Sequence, residues 1–434
     1  MKTRLSQGML VKGKNDFYKI GNFLGSGGQG EVYEAFKDGK KYAIKWYFQN
    51  SANAEQKKAI EYLVKIGPPN RSFLWPLEVI ESKDSNSFGY IMPIRREEFY
   101  PLVDMMKRKI EPSFRSLIKS AMLLTDAFER LHNKNLCYRD ISFGNIFIEP
   151  HSGNILICDN DNITYESDVL KNILGTPRFM APEIVRGISY PNIDSDRFSL
   201  GILLFYMFMI HHPFEGKMED KIKCFDLPAM RRLYGERPVF IYHPSNASNR
   251  PIPGRHDNAI IFWKLYPDFF KQAFTRLFTE GIPDKSKRPS EAEWKETFQT
   301  LMDHLVYCKC GCESFLSFEN PYSVEQKACW NCGAPLAKPF RLVMDNKIIV
   351  LNRNTKIYSH HVNKNVRIDF NNVLAKVNPH PVKQGIWGLK NTGNTVWQTK
   401  NRSGESRIVA SGYSIAIEDG LTLDFGGRTA KVLG

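Results

Sequence analysis

No run of this 434-residue chain reaches the roughly 18 apolar residues that a membrane-spanning helix needs. The longest candidate, Phe198 to Ile210, is too short and reads as a fully buried helix. Met1 to Lys14 carries charge but no apolar core, so the N-terminus lacks the pattern of a secretory signal, and an intracellular, cytoplasmic protein is expected. Cysteine is scarce outside one stretch: five of the eight fall between Cys308 and Cys332, which argues for a metal site over a disulfide framework. Acidic residues are the minority charge, 46 against 60 Lys and Arg, net +14, but the basic residues are spread along the chain. That spread reads as a solvated basic surface, and nucleic acid is not an expected partner. The remaining composition, 42% hydrophobic and 24% charged, is that of a globular protein of two to four domains.

The N-terminal third is strand-like and punctuated by glycine. Tyr18 to Leu24 is followed by Gly25-Ser26-Gly27-Gly28-Gln29-Gly30 and a second apolar run, Val32 to Phe36. Asp38-Gly39 is a hairpin turn signal, and Tyr42-Ala43-Ile44-Lys45-Trp46-Tyr47 is the next strand. Glycines between antiparallel strands let backbone N–H groups approach phosphates without Cβ interference. A dinucleotide fold would place a helix after the glycines; here a strand and an A-I-K triplet follow. Ser51 is the predicted cap of a helix running to about Ile66, which should supply a carboxylate to Lys45. Glu55 and Glu61 both qualify, Glu55 lying nearer the helix start and Glu61 at the more usual distance from Lys45; Glu55 is preferred and the choice stays open. Phe73 to Ile80 and Gly89 to Ile94 are strand candidates, with Met92 to Arg95 a candidate lining for a purine base.

A helix over Ser113 to His132 leads into Cys137-Tyr138-Arg139-Asp140-Ile141-Ser142-Phe143-Gly144-Asn145. In phosphoryl transfer such an aspartate accepts a hydroxyl proton while an asparagine five positions on holds a metal ion. Asp159, at the end of a predicted hairpin built on Ile146–Ile148 and Ile155–Ile157, stands where a second metal ligand is needed. With Gly175-Thr176-Pro177-Arg178-Phe179-Met180-Ala181-Pro182-Glu183, Asp196-Arg197-Phe198-Ser199-Leu200-Gly201 and Arg288-Pro289, the chain over 17–305 resembles a eukaryotic-type Ser/Thr protein kinase.

The resemblance implies an α+β bilobal fold that uses ATP with Mg²⁺ or Mn²⁺ and acts on protein substrates. Leu24, Gly25, Ser26, Gly27, Gly28, Gly30, Val32 and Lys45 would bind the nucleotide. Asp140 would be the base, Asn145 and Asp159 the magnesium ligands, and Arg139 the partner of a phosphate on Thr164, Tyr165, Ser167 or Thr176. Glu183 would pair with Arg288, and Asp196 would brace the catalytic loop. Three positions depart from the family. Tyr138 replaces a histidine, Ser142 replaces a lysine, and Asp159-Asn160-Asp161 replaces D-F-G, with Asp161 read as the start of a turn. These departures motivate an ATP-binding pseudokinase scaffold as the alternative; a basic zinc-ribbon nucleic-acid binder is a further one. A Pro-, Asn- and Arg-rich insertion over 221–261, with a strand expected at Val239–Tyr242, is a candidate docking surface.

Cys308-Lys309-Cys310-Gly311-Cys312 and Cys329-Trp330-Asn331-Cys332-Gly333 have the knuckle pattern that tetrahedral zinc requires. Cys308, Cys310, Cys329 and Cys332 are the predicted ligands of a structural Zn²⁺ in a ribbon over 306–338, with Cys312 a spectator. Over 339–434, seven short apolar runs separated by Asn, Gly and Pro, Val366–Phe370 among them, predict an all-β sandwich. Trp387 to Asn391 and Gly420 to Gly426 resemble forkhead-associated modules, with Arg353 and Ser359-His360-His361 as loose stand-ins for the phosphopeptide-binding elements. The whole arrangement, after a tail over 1–16, resembles a group of bacterial regulatory kinases.

Overall fold

A computed structural model describes residues 5–14, 16–81, 87–167, 175–363, 365–383 and 385–434. The chain forms two compact units, Met1–Ala259 with Phe274–Ala292, and Ile260–Ala273 with Glu293–Gly434.

The first unit begins with a closed antiparallel barrel. Its strands are β1 (Leu10–Lys12), β2 (Phe17–Ser26), β3 (Gly30–Lys37), β4 (Lys40–Tyr47), β5 (Glu78–Glu81) and β6 (Phe88–Pro93), in the order β1-β2-β3-β4-β6-β5. Lys12 opposite Glu81 closes the ring, so part of the expected N-terminal tail belongs to the barrel, with Val11 buried in its core. Asp38 and Gly39 both have positive φ, 49° and 71°, the geometry of a tight hairpin turn matched to strand twist. Helix α1 (Ala54–Ile66) is capped by Asn53, whose side chain accepts from Gln56 N at 2.8 Å; the predicted cap, Ser51, lies two residues too early. Ile60 and Leu63 are its buried residues. Of the strand expected over Phe73–Ile80, only the end pairs as β5. Phe73 instead bridges in parallel to Ile157, and Leu74 N donates to Ile157 O at 2.8 Å.

The rest of this unit is mainly helical. Ser113 caps the helix Phe114–His132, accepting from Ser116 N at 3.1 Å. The helix Ile193–Met209 starts in a reciprocal cap between Asn192 and Ser195, and from Leu200 to Met209 it is apolar all round because it is buried all round. Phe205 on this helix packs edge-on against Phe240, Phe274 and Phe278. Val239–Tyr242 forms no strand: Phe240 and Ile241 are buried as anticipated, but the Ile241 amide donates to Pro213 O and the segment turns.

In the second unit, Leu305–Tyr307 pairs with Glu313–Phe315, and a small cluster of Val306, Cys308, Leu316, Cys329, Leu336 and Val350 lies beside the pair. Two antiparallel sheets follow. One has six strands in the order Lys347–Val350, Arg341–Met344, Thr429–Leu433, Thr422–Asp424, Trp397–Lys400, Ser406–Val409. The other has four: Lys356–Tyr358, Val373–Pro379, Trp387–Asn391, Ser414–Ala416. Leu342, Met344, Trp397 and Leu423 of the first share one apolar cluster with Ile357, Ala375, Val377 and Leu389 of the second. Val366–Phe370 is not a strand. The chain turns helical at Ser359–Val362 just before it, and the Asp369 amide donates to His360 Nδ1 at 3.3 Å instead of to a neighbouring strand.

Asn391, fully buried, ties the two sheets together. Its Nδ2 donates to Thr395 O at 2.8 Å and Val409 O at 3.0 Å, and its Oδ1 accepts from Gly393 N at 3.1 Å. Asn391→Ala removes the side-chain donor to Thr395 O and Val409 O, of which Val409 is buried, while Gly393 N keeps Leu374 O at 3.0 Å; a loss of about 1–3 kcal/mol is expected from denaturant unfolding of the full chain.

Candidate active site

The loop Tyr138–Asn145 is held from beneath. Asp196, almost wholly buried on the helix Ile193–Met209, accepts from the backbone amides of Tyr138 at 2.5 Å and Arg139 at 2.9 Å. These bonds hold Arg139 in a left-handed conformation, φ 74°, which a side chain adopts only when its surroundings enforce it. Asn145 Nδ2 donates back to Asp140 O at 2.8 Å and fixes the loop's far end. Thr176 Oγ1 donates to Asp140 Oδ1 at 2.8 Å and orients the carboxylate.

His132 bridges Asp196 and Glu291, with Nε2 3.3 Å from Asp196 Oδ2 and Nδ1 2.6 Å from Glu291 Oε1. Burial alone would drive the imidazolium neutral, but hydrogen bonds to Asp196 and Glu291 outweigh it and lift the pKa to about 9 from 6.5. A raised histidine stabilises the fold fully below the unfolded value and loses that contribution as pH rises through the folded one. Unfolding free energy should therefore fall by about 3 kcal/mol more in wild type than in His132→Asn between pH 6 and pH 9.5. Urea titrations at the two pH values check it.

Above the loop lies a cleft of about 380 Å³ lined by Gly27, Gly28, Gln29, Gly30, Val32, Lys45, Asp140, Asp159, Asn162, Gly175 and Thr176. Leu24, Gly25 and Ser26 stand at the end of β2 outside this lining. A Cβ on Gly25, Gly27 or Gly28 would meet nothing within 4 Å, whereas one on Gly30 would sit 2.3 Å from Trp46 O. Gly30 is thus demanded by packing on β4, while Gly27 and Gly28 keep open space at the cleft.

Lys45 is buried and makes two ion pairs, to Asp159 Oδ1 and, at 2.8 Å, to Asp161 Oδ2. Burial pulls its ammonium toward neutrality, but the charges of Asp161 and Asp159 win, and its pKa lies above the ordinary lysine value. Burial raises Asp159, reinforced by the charge of Asp161; Asp161 is lowered despite burial, because Lys45 and the Tyr47 hydroxyl stabilise its anion. The predicted partner of Lys45 does not hold. Glu55 and Glu61 are both exposed, and neither pairs with Lys45. The α1 residue that faces this site is Gln56, one turn before the buried Ile60, whose Nε2 donates to Asp161 O at 3.1 Å and Tyr47 OH at 3.2 Å. Nor does Asp161 merely begin a turn: it is a buried carboxylate on the lysine. Its signal in the sequence was the missing glutamate at position 56, on the face defined by Ile60 and Leu63.

Asn160 replaces the expected phenylalanine and is fully buried, its Nδ2 donating to Leu74 O at 2.9 Å and Ile157 O at 3.1 Å. Asp159 itself is left-handed, φ 55°. Tyr138 is buried and its hydroxyl donates to Cys158 O. Ser142 is buried too, and Lys45 is the one cation among the described residues lining the cleft. Glu183 and Arg288 form a bidentate pair, both contacts 2.9 Å. In the segment between Asp159 and Glu183, residues 168–174 lie outside the described ones. Arg139 Nη2 donates to Tyr165 O at 3.2 Å, the Tyr165 hydroxyl meets that of Tyr62, and Ser167 is exposed.

In the second unit the Sγ atoms of Cys308, Cys310, Cys329 and Cys332 all lie within 4.8 Å of one another. Gly311 (φ 89°) and Gly333 (φ 70°) let each knuckle turn back, their amides donating to Cys308 O and Cys329 O at 2.9 Å. Cys312 stays outside the tetrad and packs on the small apolar cluster. The loose phosphopeptide elements fare differently. His360 and His361 are buried against Gln299, and His361 also reaches Asp303, while Arg353 lies over the Tyr307 ring; the histidines are not presented to a ligand.

Comparison with known proteins agrees with the geometry. Mouse serine/threonine-protein kinase 33 (Mus musculus) is 27% identical over 253 residues, 55% of this chain and 50% of that one. Cell cycle serine/threonine-protein kinase CDC5/MSD2 of Saccharomyces cerevisiae is 27% identical over 252 residues, 54% of this chain and 34% of that one. Serine/threonine-protein kinase 40 of Gallus gallus is 34% identical over 97 residues, 22% of each. The matches thus span half or less of these relatives' length. The family model for the protein kinase domain matches residues 18–296, well over half of the sequence, and the chain belongs to that family.

Proposed function

We propose that the chain is a Ser/Thr protein kinase that transfers the γ-phosphoryl group of ATP to a protein hydroxyl. The observation that carries this is the convergence of Lys45, Asp140 and Asp159 on one cleft beneath an open glycine loop. Asp140, oriented by Thr176, accepts the proton of the attacking hydroxyl. Lys45 holds the phosphates, and the backbone of 25–30 covers them. Asp159, a carboxylate lining the cleft, and Asn145, an amide bonded to Asp140 but outside that lining, would hold a hard divalent cation such as Mg²⁺ or Mn²⁺, whose charge would neutralise the transferring group. The test is transfer of label from γ-labelled ATP to the protein itself or to a generic acceptor, with the modified residues mapped. Ser142 and Gln56, standing where the fold's usual charges are missing, support the second reading, a nucleotide-binding scaffold without transfer.

In the second unit we read the cysteine tetrad as a structural Zn²⁺ site. Tetrahedral Zn–S bonds of about 2.3 Å put sulfurs about 3.8 Å apart, close to the 3.5 Å between Cys308 and Cys332 and the 3.7 Å between Cys310 and Cys329. Four thiolates leave no open position, so the role is to hold the fold. The two antiparallel sheets around one apolar cluster support a β-sandwich reading of residues 339–434.

A further inference from the structure

We propose that Asp161, and no carboxylate of α1, is the residue that positions Lys45 for nucleotide. The inference rests on the kinase reading for what Lys45 does there, but the pairing itself stands on the geometry of the nucleotide-free protein.

A buried ammonium needs a buried counter-charge. In the kinase fold that charge ordinarily comes from a glutamate on the helix after the lysine strand, so that the helix's placement decides whether the lysine is aimed. Here the α1 face toward Lys45 carries Gln56, a neutral amide, and the acidic residues of α1 are turned to solvent. Asp161 fills the role from another direction. It sits in the short turn Asn160–Asn162 directly after Asp159, is 2% exposed, and places Oδ2 2.8 Å from Lys45 Nζ. The same oxygen accepts the Tyr47 hydroxyl, two residues along β4 from Lys45. Tyr47 also holds Gln56, so α1 is attached to this arrangement by hydrogen bonds rather than by charge.

Asp159 cannot serve in its place. It pairs with Lys45 as well and lines the cleft, and on the kinase reading it would be the carboxylate given to a divalent ion, its charge then withdrawn from the lysine. Asp161 lies outside the cleft lining and keeps its charge for Lys45. The lysine and the metal-binding turn therefore form one charge-coupled unit, and the sequence departure from D-F-G and the absent α1 glutamate are one compensated change.

The test uses the full chain with Asp161→Asn, Asp161→Glu, Glu55→Gln and Lys45→Met. Asp161→Asn is expected to weaken Mg²⁺-ATP binding at least tenfold and to raise KM for ATP more than it lowers kcat. Asp161→Glu should recover part of the loss, and Glu55→Gln should match wild type. Independently of nucleotide, melting temperatures should be non-additive: Asp161→Asn with Lys45→Met should melt no lower than Lys45→Met alone, which leaves a buried carboxylate unpaired. Unchanged ATP binding in Asp161→Asn, a loss in Glu55→Gln of equal size, or additive melting shifts would overturn the proposal. Were wild type to bind ATP but transfer nothing, the kinase reading would fall, while binding and melting would still decide the pairing.

Discussion

Asp140→Asn should lower phosphoryl transfer by about 10²–10⁴-fold and leave Mg²⁺-ATP affinity within about threefold of wild type. The asparagine keeps the shape and an oxygen for Thr176 Oγ1, so the loop between Asp196 and Asn145 has no reason to move. What it loses is an acceptor for the hydroxyl proton, an interaction realised only as the new bond forms. Single-turnover rates with γ-labelled ATP, set beside equilibrium nucleotide binding, separate the two quantities. Equal rates in wild type and Asp140→Asn would favour the scaffold reading, with any residual labelling due to something other than this aspartate. The absence of the family's lysine at Ser142 sets the wild-type rate itself: one lost charged contact on the transferring group costs about 2–4 kcal/mol, so slow turnover is expected even with the base intact.

On the zinc reading, removing metal from the cysteine tetrad should have the largest effect on folding. The cluster beside it has six buried members, two of which, Cys308 and Cys329, belong to the tetrad itself. So small a core cannot offset the entropy of ordering some 30 residues, and structural zinc in such modules contributes about 10–16 kcal/mol. One equivalent of zinc per chain is expected by elemental analysis. Cys329→Ser, or a strong chelator, should expose the stretch between Cys308 and Leu336 to rapid proteolysis, whereas Cys312→Ser should leave zinc content unchanged. A zinc-free protein with that stretch still protected would refute the structural role.

The parts of this fold that could be read from sequence are those fixed locally. Lys45, Asp140 and Asn145 each sit inside a short strand or loop whose spacing places them, and the four cysteines were identified by two knuckles and their glycines. The Lys45 partner could not be read that way. Choosing among Glu55, Gln56 and Glu61 requires the rotational phase of α1 against β4, which is set by Ile60 and Leu63 finding the core, a long-range fact. Asp161 was obscured for the same reason, since nothing adjacent to it announces that a lysine 116 positions earlier points at it. Val239–Tyr242 and Val366–Phe370 have strand composition and lack ladder partners, and pairing depends on the whole sheet. The strands Ser406–Val409 and Thr429–Leu433 escaped notice because four or five residues carry too little periodicity to stand out.

The side chain of Asn160 has a pharmacological consequence. In this fold an aromatic ring ordinarily stands at this position and its packing sets the active and inactive states, so a ring that swings out leaves an apolar hole of the kind small ligands fill. Here no ring is there to leave. Inverting the turn would instead strip Leu74 O of its donor, at about 1–3 kcal/mol, while Ile157 O keeps the Leu74 amide, and would open a space edged by a bare carbonyl. An apolar ligand should bind such a space weakly, and one that fits would have to bring a donor for Leu74 O.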